Sequence, residues 1–147
     1  SFFPQAQREV KILVEDDIIG FADIVLPDEV VDIKSCRTFE FKLMLKKDYD
    51  IKVSKLSNCL QVASYGLFLK KSQVRLVFIE KDALDSKEFV LKVEDWKEAI
   101  KDELEILRGH WKNGSLPAPS PRAYNGKEDD YCPYKSKCFK MQGKTLV

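Results

Sequence analysis

Residues 18 to 34 read IIGFADIVLPDEVVDIK, and this stretch decides the fold. Its first eight residues, Ile18 to Val25, are rich in branched and apolar side chains with polar or small residues interleaved, the pattern of a strand. Pro27-Asp28 supplies turn chemistry, and Val30-Val31-Asp32-Ile33-Lys34 then reads as a second strand. Upstream, residues 9 to 14 (Glu-Val-Lys-Ile-Leu-Val) alternate in the same way, with Asp16-Asp17 as a hairpin turn between. Three short strands in succession predict an antiparallel meander.

Working outward, Val74 to Ile79 is a continuous apolar run of strand length, and Glu88 to Val93 offers a further strand. The stretch from Cys36 to Lys52 has mixed periodicity, with Phe39, Phe41, Leu43 and Leu45 alternating, and reads as strand or loop. Ser54 is a plausible N-cap for a helix running to about Lys70, in which Leu56, Leu60, Ala63 and Leu67 recur at helical spacing. Glu94 and Asp95 open a second long helix, to about 112, where the helix dipole favours acids. Trp96, Ile100, Leu104, Leu107 and Trp111 make its apolar stripe. Asn113-Gly114 ends it, and Pro117, Pro119 and Pro121 predict an extended arm over 113–147. The expected architecture is α/β, a mixed central β-sheet flanked by helices, in a single domain spanning 1–147.

With 147 residues, 44% hydrophobic and 33% charged, the composition is that of one globular domain. No apolar run approaches the roughly 20 residues of a membrane helix, so no membrane partner is expected. Ser1-Phe2-Phe3-Pro4 lacks the basic start and apolar stretch of a secretory signal and reads as the cut edge of a longer chain. The four cysteines, at 36, 59, 132 and 138, are too few and too unevenly spaced for a disulfide framework. A reducing, cytoplasmic setting fits them better.

The formal charge is only +1, but it is segregated. From Lys34 to Lys55 seven basic residues face three acidic ones, whereas from Glu80 to Glu105 ten acidic residues face five basic ones. One face is thereby suited to phosphates, although solvated surfaces produce the same pattern.

Asp23 and Asp32 lie on neighbouring strands joined by a tight turn, so cross-strand pairing brings the two carboxylates together. Such a pair suits Mg²⁺ or Mn²⁺, which take one or two carboxylates and keep room for a phosphate oxygen and a water. Side chains alternate along a strand, so Asp32 and Lys34 point the same way and Ile33 is expected to point into the core. A lysine there can orient an attacking water and stabilise charge building on phosphate. Asp-x-Lys on a strand face is also an ordinary ion pair. Gln61 and Tyr65, at i and i+4, share one face of the first helix, as a surface glutamine beside a half-buried tyrosine also would.

Three motifs occur in order: Gly20-Phe21-Ala22-Asp23, then Val31-Asp32-Ile33-Lys34-Ser35, then Gln61-Val62-Ala63-Ser64-Tyr65. Together they resemble the RecB-type branch of the PD-(D/E)xK nuclease superfamily, whose pattern is Gly-x-x-Asp, Asp/Glu-x-Lys and Gln-x-x-x-Tyr. That branch includes recombination, CRISPR-adaptation and phage exonucleases. The resemblance covers roughly residues 9 to 140, and Trp111 to Pro117 is similar to the close of such domains. It implies a restriction-endonuclease-like core and a metal-dependent DNA exonuclease of a bacterium, archaeon or phage, acting in recombination, repair or phage-type DNA processing. It makes Asp23, Asp32 and the Ile33 carbonyl the metal ligands and Lys34 the catalytic lysine. Gln61 and Tyr65 would contact substrate or support the site, and Lys46 and Lys47, in the basic segment, would grip the DNA backbone. A structure-specific endonuclease and a non-catalytic DNA-binding module that keeps the fold are the alternatives.

Two departures from the family pattern matter. Many relatives hold an iron–sulfur cluster on one upstream cysteine and three downstream, the latter spaced Cys-x2-Cys-x5-Cys. Cys132 and Cys138 match the last two, but Asp129 occupies the first position and no cysteine precedes Cys36, so no such cluster is expected. Relatives also carry an upstream histidine or glutamate, for which Glu9 is the candidate in this chain. His110, the only histidine, reads as a surface helix residue.

Overall fold

The computed structural model describes residues 5–13 and 18–115. Five strands form one sheet in the order β1 (Gln7–Leu13), β2 (Ile19–Val25), β3 (Glu29–Cys36), β4 (Gln73–Glu80), β5 (Ser86–Lys92). The β1–β2, β2–β3 and β4–β5 pairs are antiparallel and β3–β4 is parallel, so the expected mixed sheet and its opening meander are both present. The turn at Asp16-Asp17 and the proline-rich arm from 116 onward lie outside the described residues.

A parallel neighbour requires a crossover, and three helices make it: α1 (Thr38–Met44), α2 (Ile51–Ser54) and α3 (Leu56–Phe68). The strand or loop expected between Cys36 and Lys52 is therefore corrected to a helix. Phe39, Phe41, Leu43 and Leu45 do alternate in sequence, yet the residues that α1 buries are Phe41 and Met44, three apart. The need to leave β3 and return parallel to it overrides the local pattern. The helix expected after Ser54 is α3, but its N-cap is Lys55 and Ser54 closes α2 instead. Lys55, at φ −134°, separates α2 from α3. Asp50 caps α2, accepting the Lys52 N–H at 2.8 Å.

The core lies between one face of the sheet and α3. Val30 of β3 and Val74, Leu76 and Phe78 of β4 meet Cys59, Val62 and Ala63, all buried. A 3₁₀ turn (Val93–Trp96) then leads into α4 (Lys97–Asn113), later than the expected start at Glu94. Trp96 and Ile100 are buried and Leu104 packs beside them, but Leu107 and Trp111 are exposed, so only the first part of the expected stripe is covered. The chain divides into two compact units, Ser1–Leu104 and Glu105–Val147, with α4 running from the first into the second. In the second unit, His110 Nδ1 lies 2.9 Å from the Ser115 hydroxyl near the helix end.

β4 alternates half-buried and buried residues. Its opposite face carries Arg75, held by Glu29 and Glu88. At the far end of β4, the buried Glu80 carboxylate accepts the Thr38 hydroxyl at 2.5 Å and the backbone N–H groups of Asp82 and Ala83. These bonds hold Glu80 below the usual carboxylate range and tie the β4–β5 turn to the start of α1.

Gly66 marks the closest approach of α3 to the sheet. A Cβ there would lie 2.5 Å from Val74 Cγ1 and 2.7 Å from Val93 Cγ2, both on buried residues. Alanine gains about 1 kcal/mol of helix propensity over glycine, but overpacking a core costs about 1–3 kcal/mol. Two pinned β-branched neighbours put this site at the upper end. Gly66→Ala is thus expected to lower stability by roughly 1–2 kcal/mol, read as a lower urea midpoint at unchanged slope.

Candidate active site

β3 is bound differently on its two sides. Toward β4 it is in register throughout, from Glu29↔Gln73 to Cys36↔Glu80. Toward β2 it holds only Ile24↔Val31 and Val25↔Val30. Continuing that register would set Asp23 opposite Asp32 and Ala22 opposite Ile33, but there the strands part. The Asp23 side chain takes over, its Oδ2 accepting the Ile33 N–H at 2.7 Å. N–H and C=O of one extended residue point to the same side of a strand. The Ile33 carbonyl therefore also faces the fork between β2 and β3.

β2 is distorted at this position. Ala22 and Val25 are both buried, which breaks strict alternation across Asp23 and Ile24. On β1, Glu9 falls between Arg8↔Ile24 and Val10↔Ala22, drops out of the ladder and has a positive φ of 50°. A non-glycine residue at such a φ marks strain, and irregularities of this kind re-aim side chains near sites. Glu9 itself is exposed.

Asp32 is 1% exposed and belongs to the face that α3 covers. Ile33 is 40% exposed, so its expected place in the core is corrected. Alternation is kept, but it is Asp32, with Val30 and Cys36, that points inward. The Lys34 Nζ lies 2.9 Å from Asp32 Oδ2. That ammonium is the partner the buried Oδ2 has. Burial pushes the Asp32 carboxyl above its ordinary range, the Lys34 ammonium pulls it back, and the nearby Asp23 carboxylate pushes it up again. A structural ion pair would not need that second carboxylate. The pair is short of positive charge.

Two carboxylates and a backbone carbonyl facing the same fork fit a hard divalent cation that keeps part of its shell for water or phosphate. Among the described residues no three His, Cys, Asp or Glu side chains gather as a metal cluster, so any such ion would rest on these two carboxylates. The two described cysteines are buried thiols. Burial pushes Cys59 up to about 11 and Cys36 above its ordinary value. Cys132 and Cys138 lie outside the described residues.

Gln61 and Tyr65 join this arrangement through Gly20. Tyr65 is buried, its ring lying where a Gly20 Cβ would be, 2.5 Å from Cε1. Its hydroxyl accepts from Gln61 Nε2 at 3.0 Å. Only a residue without a side chain lets α3 settle on β2 three residues before Asp23. Tyr65 thus acts on the site by packing, and the exposed Gln61 is the member of the pair that meets solvent.

The basic run divides in two. Lys34, Lys52 and Lys55 pair with Asp32, Asp95 and Glu40. Arg37, Lys42, Lys46 and Lys47 are exposed and have no carboxylate partner among the described residues. Sequence reading had no signal for the fork, for the Asp23 bond to the Ile33 N–H, or for which lysines remain unpaired, because each depends on tertiary placement.

No family model matches the chain, and no curated protein matches it. Among solved structures it is similar to one described as "Crystal structure of SSO0001", with a TM-score of 0.54 and 21% identity. The match covers 90% of this chain and 59% of that one, so the chain spans a little over half the length of the structure it resembles. That likeness bears on the fold, and it agrees with the mixed α/β core. No helix among the described residues is long and apolar enough to cross a membrane.

Proposed function

We propose that this chain is the nuclease domain of a divalent-metal-dependent DNA exonuclease, cytoplasmic in a bacterial, archaeal or phage-infected cell. The observation that carries the reading is the buried Asp32 carboxylate, with Lys34 on it and Asp23 near enough to push its pKa up, at the point where β2 and β3 part. End-directed cleavage rests on the likeness of the three motifs around Gly20, Asp32 and Gln61 to RecB-type nucleases.

Asp23, Asp32 and the Ile33 carbonyl would hold the ion. A bound Mg²⁺ or Mn²⁺ supplies Lewis acidity at the phosphate and lowers the pKa of an attacking water. Asp23 keeps its second oxygen for this role while Oδ2 stays on the Ile33 N–H. Lys34, beside Asp32 and partly open to solvent, orients the water and meets the charge that builds on the phosphate oxygens. Tyr65 on Gly20 sets α3 against β2 and so fixes one wall. Arg37, Lys42, Lys46 and Lys47 take backbone phosphates, which makes DNA binding weaken steeply with salt.

The test uses labelled linear DNA and circular single-stranded DNA, each incubated with EDTA, Mg²⁺ or Mn²⁺. Degradation of the linear substrate only, and only with metal, is the expected result. Cutting of the circle would turn the reading to an endonuclease. Calorimetric Mn²⁺ binding without turnover would turn it to a binding module, and neither binding nor cleavage would overturn it.

A further inference from the structure

α1 leaves β3 directly, with Phe39 five residues beyond Lys34, at most about 17 Å of extended chain. Two residues anchor this short helix in the core, Phe41 and Met44. Phe39 lies on the other side and is 75% exposed. At 100° per residue, Phe39 and Lys42 share one face of α1, and Lys46 follows in the turn that closes the helix. Glu40, the acid within α1, is occupied by Lys55. Lys42 and Lys46, with Arg37 and Lys47 at either end, have no carboxylate partner among the described residues. An exposed aromatic ring set among unpaired cations, with no packing duty, matches how proteins hold unpaired nucleotides: a base stacks on the ring and its phosphates meet the ammonium groups. A phosphate grip alone would need no ring.

We infer that Phe39, with Lys42 and Lys46, forms a stacking platform for unpaired nucleotides of single-stranded DNA next to the cleavage centre, so that the preferred substrate end is single-stranded. This rests on the nuclease reading. Its consequence is selectivity for an overhang over a blunt duplex.

The probe is a duplex with a short overhang carrying 2-aminopurine, compared with the same duplex blunt-ended, both titrated in EDTA so that nothing is cut. The wild type is expected to quench the 2-aminopurine and to bind the overhang more tightly. Phe39→Ala should weaken overhang binding roughly tenfold, within the range seen for truncated stacking aromatics, and leave blunt-duplex binding unchanged. Phe39→Trp should restore both affinity and quenching, and Phe39→Leu should not, since bulk without a ring cannot stack. Equal binding by wild type and Phe39→Ala, or equal losses on both DNAs, would overturn the inference. If linear DNA is degraded with Mn²⁺ but Phe39→Ala is indistinguishable from wild type, the platform fails and the nuclease reading stands. If overhang selectivity and quenching are present without degradation, the platform stands and the nuclease reading fails.

Discussion

Asp32→Asn is expected to abolish DNA cleavage and yet to leave the protein more heat-stable than the wild type in metal-free buffer. The activity loss follows from removing one of two carboxylates available to an ion. Lewis-acid stabilisation worth several kcal/mol corresponds to about a thousandfold or more in rate. The stability gain follows from the same side chain. Asp32 is buried, and Asp23 lies near enough to push its pKa further up. An ionised group in that position opposes folding through the burial that raises its pKa. Asparagine keeps the shape without the charge, and the partly exposed Lys34 can turn to water. A gain on the order of 1 kcal/mol would raise the melting midpoint by a few degrees.

The pH dependence has a definite sign. The folded Asp32 pKa is raised, so the folded state holds its proton more tightly than the unfolded chain. This contribution to stability is fully present below the unfolded value near 3.9 and is lost as pH rises through the raised folded value. Wild type and Asp32→Asn should therefore melt alike in acid and diverge as pH rises toward neutrality. Adding Mn²⁺ should raise the wild-type midpoint by mass action and leave the variant unmoved. Equal midpoints across that range, or Mn²⁺ stabilising both proteins equally, would count against the assignment.

Lys34→Ala is the second large effect, and it should separate chemistry from binding. Loss of a group that positions the nucleophile and stabilises charge on phosphate is expected to cut the cleavage rate by about 10²–10⁴-fold. Arg37, Lys42, Lys46 and Lys47, unpaired among the described residues, remain to hold DNA, so affinity in EDTA should fall only slightly. The fold should persist, since the Lys34 side chain is partly exposed and lies outside the apolar core. Single-turnover cleavage and a binding titration on the same preparation decide the matter. Unchanged cleavage by Lys34→Ala would refute its proposed role.

The strands around Asp23 and Asp32 were legible because period-two alternation and turn residues are local signals, and β1 to β3 pair with their sequence neighbours. α1 was not legible. Phe39, Phe41, Leu43 and Leu45 imitate a strand, and what makes them helical is the crossover to β4, nearly forty residues beyond the end of β3. The inward direction of Asp32 escaped for a related reason. Alternation says that Asp32 and Ile33 face opposite ways, but which way is inward depends on where α3 lands. Gly20 and Tyr65 were visible as motif letters, whereas their contact was not, because nothing in either segment tells which glycine lies beneath which ring.

The unequal binding of β3 divides the candidate site mechanically. Asp32 and Lys34 ride on a strand laddered to β4 along its whole length, and they behave as a fixed jaw. Asp23 stands on a strand held to β3 by two rungs and one side-chain bond, beside Glu9 with its positive φ. It is the adjustable jaw, and any tolerance for ions of different radius falls to that half of the grip.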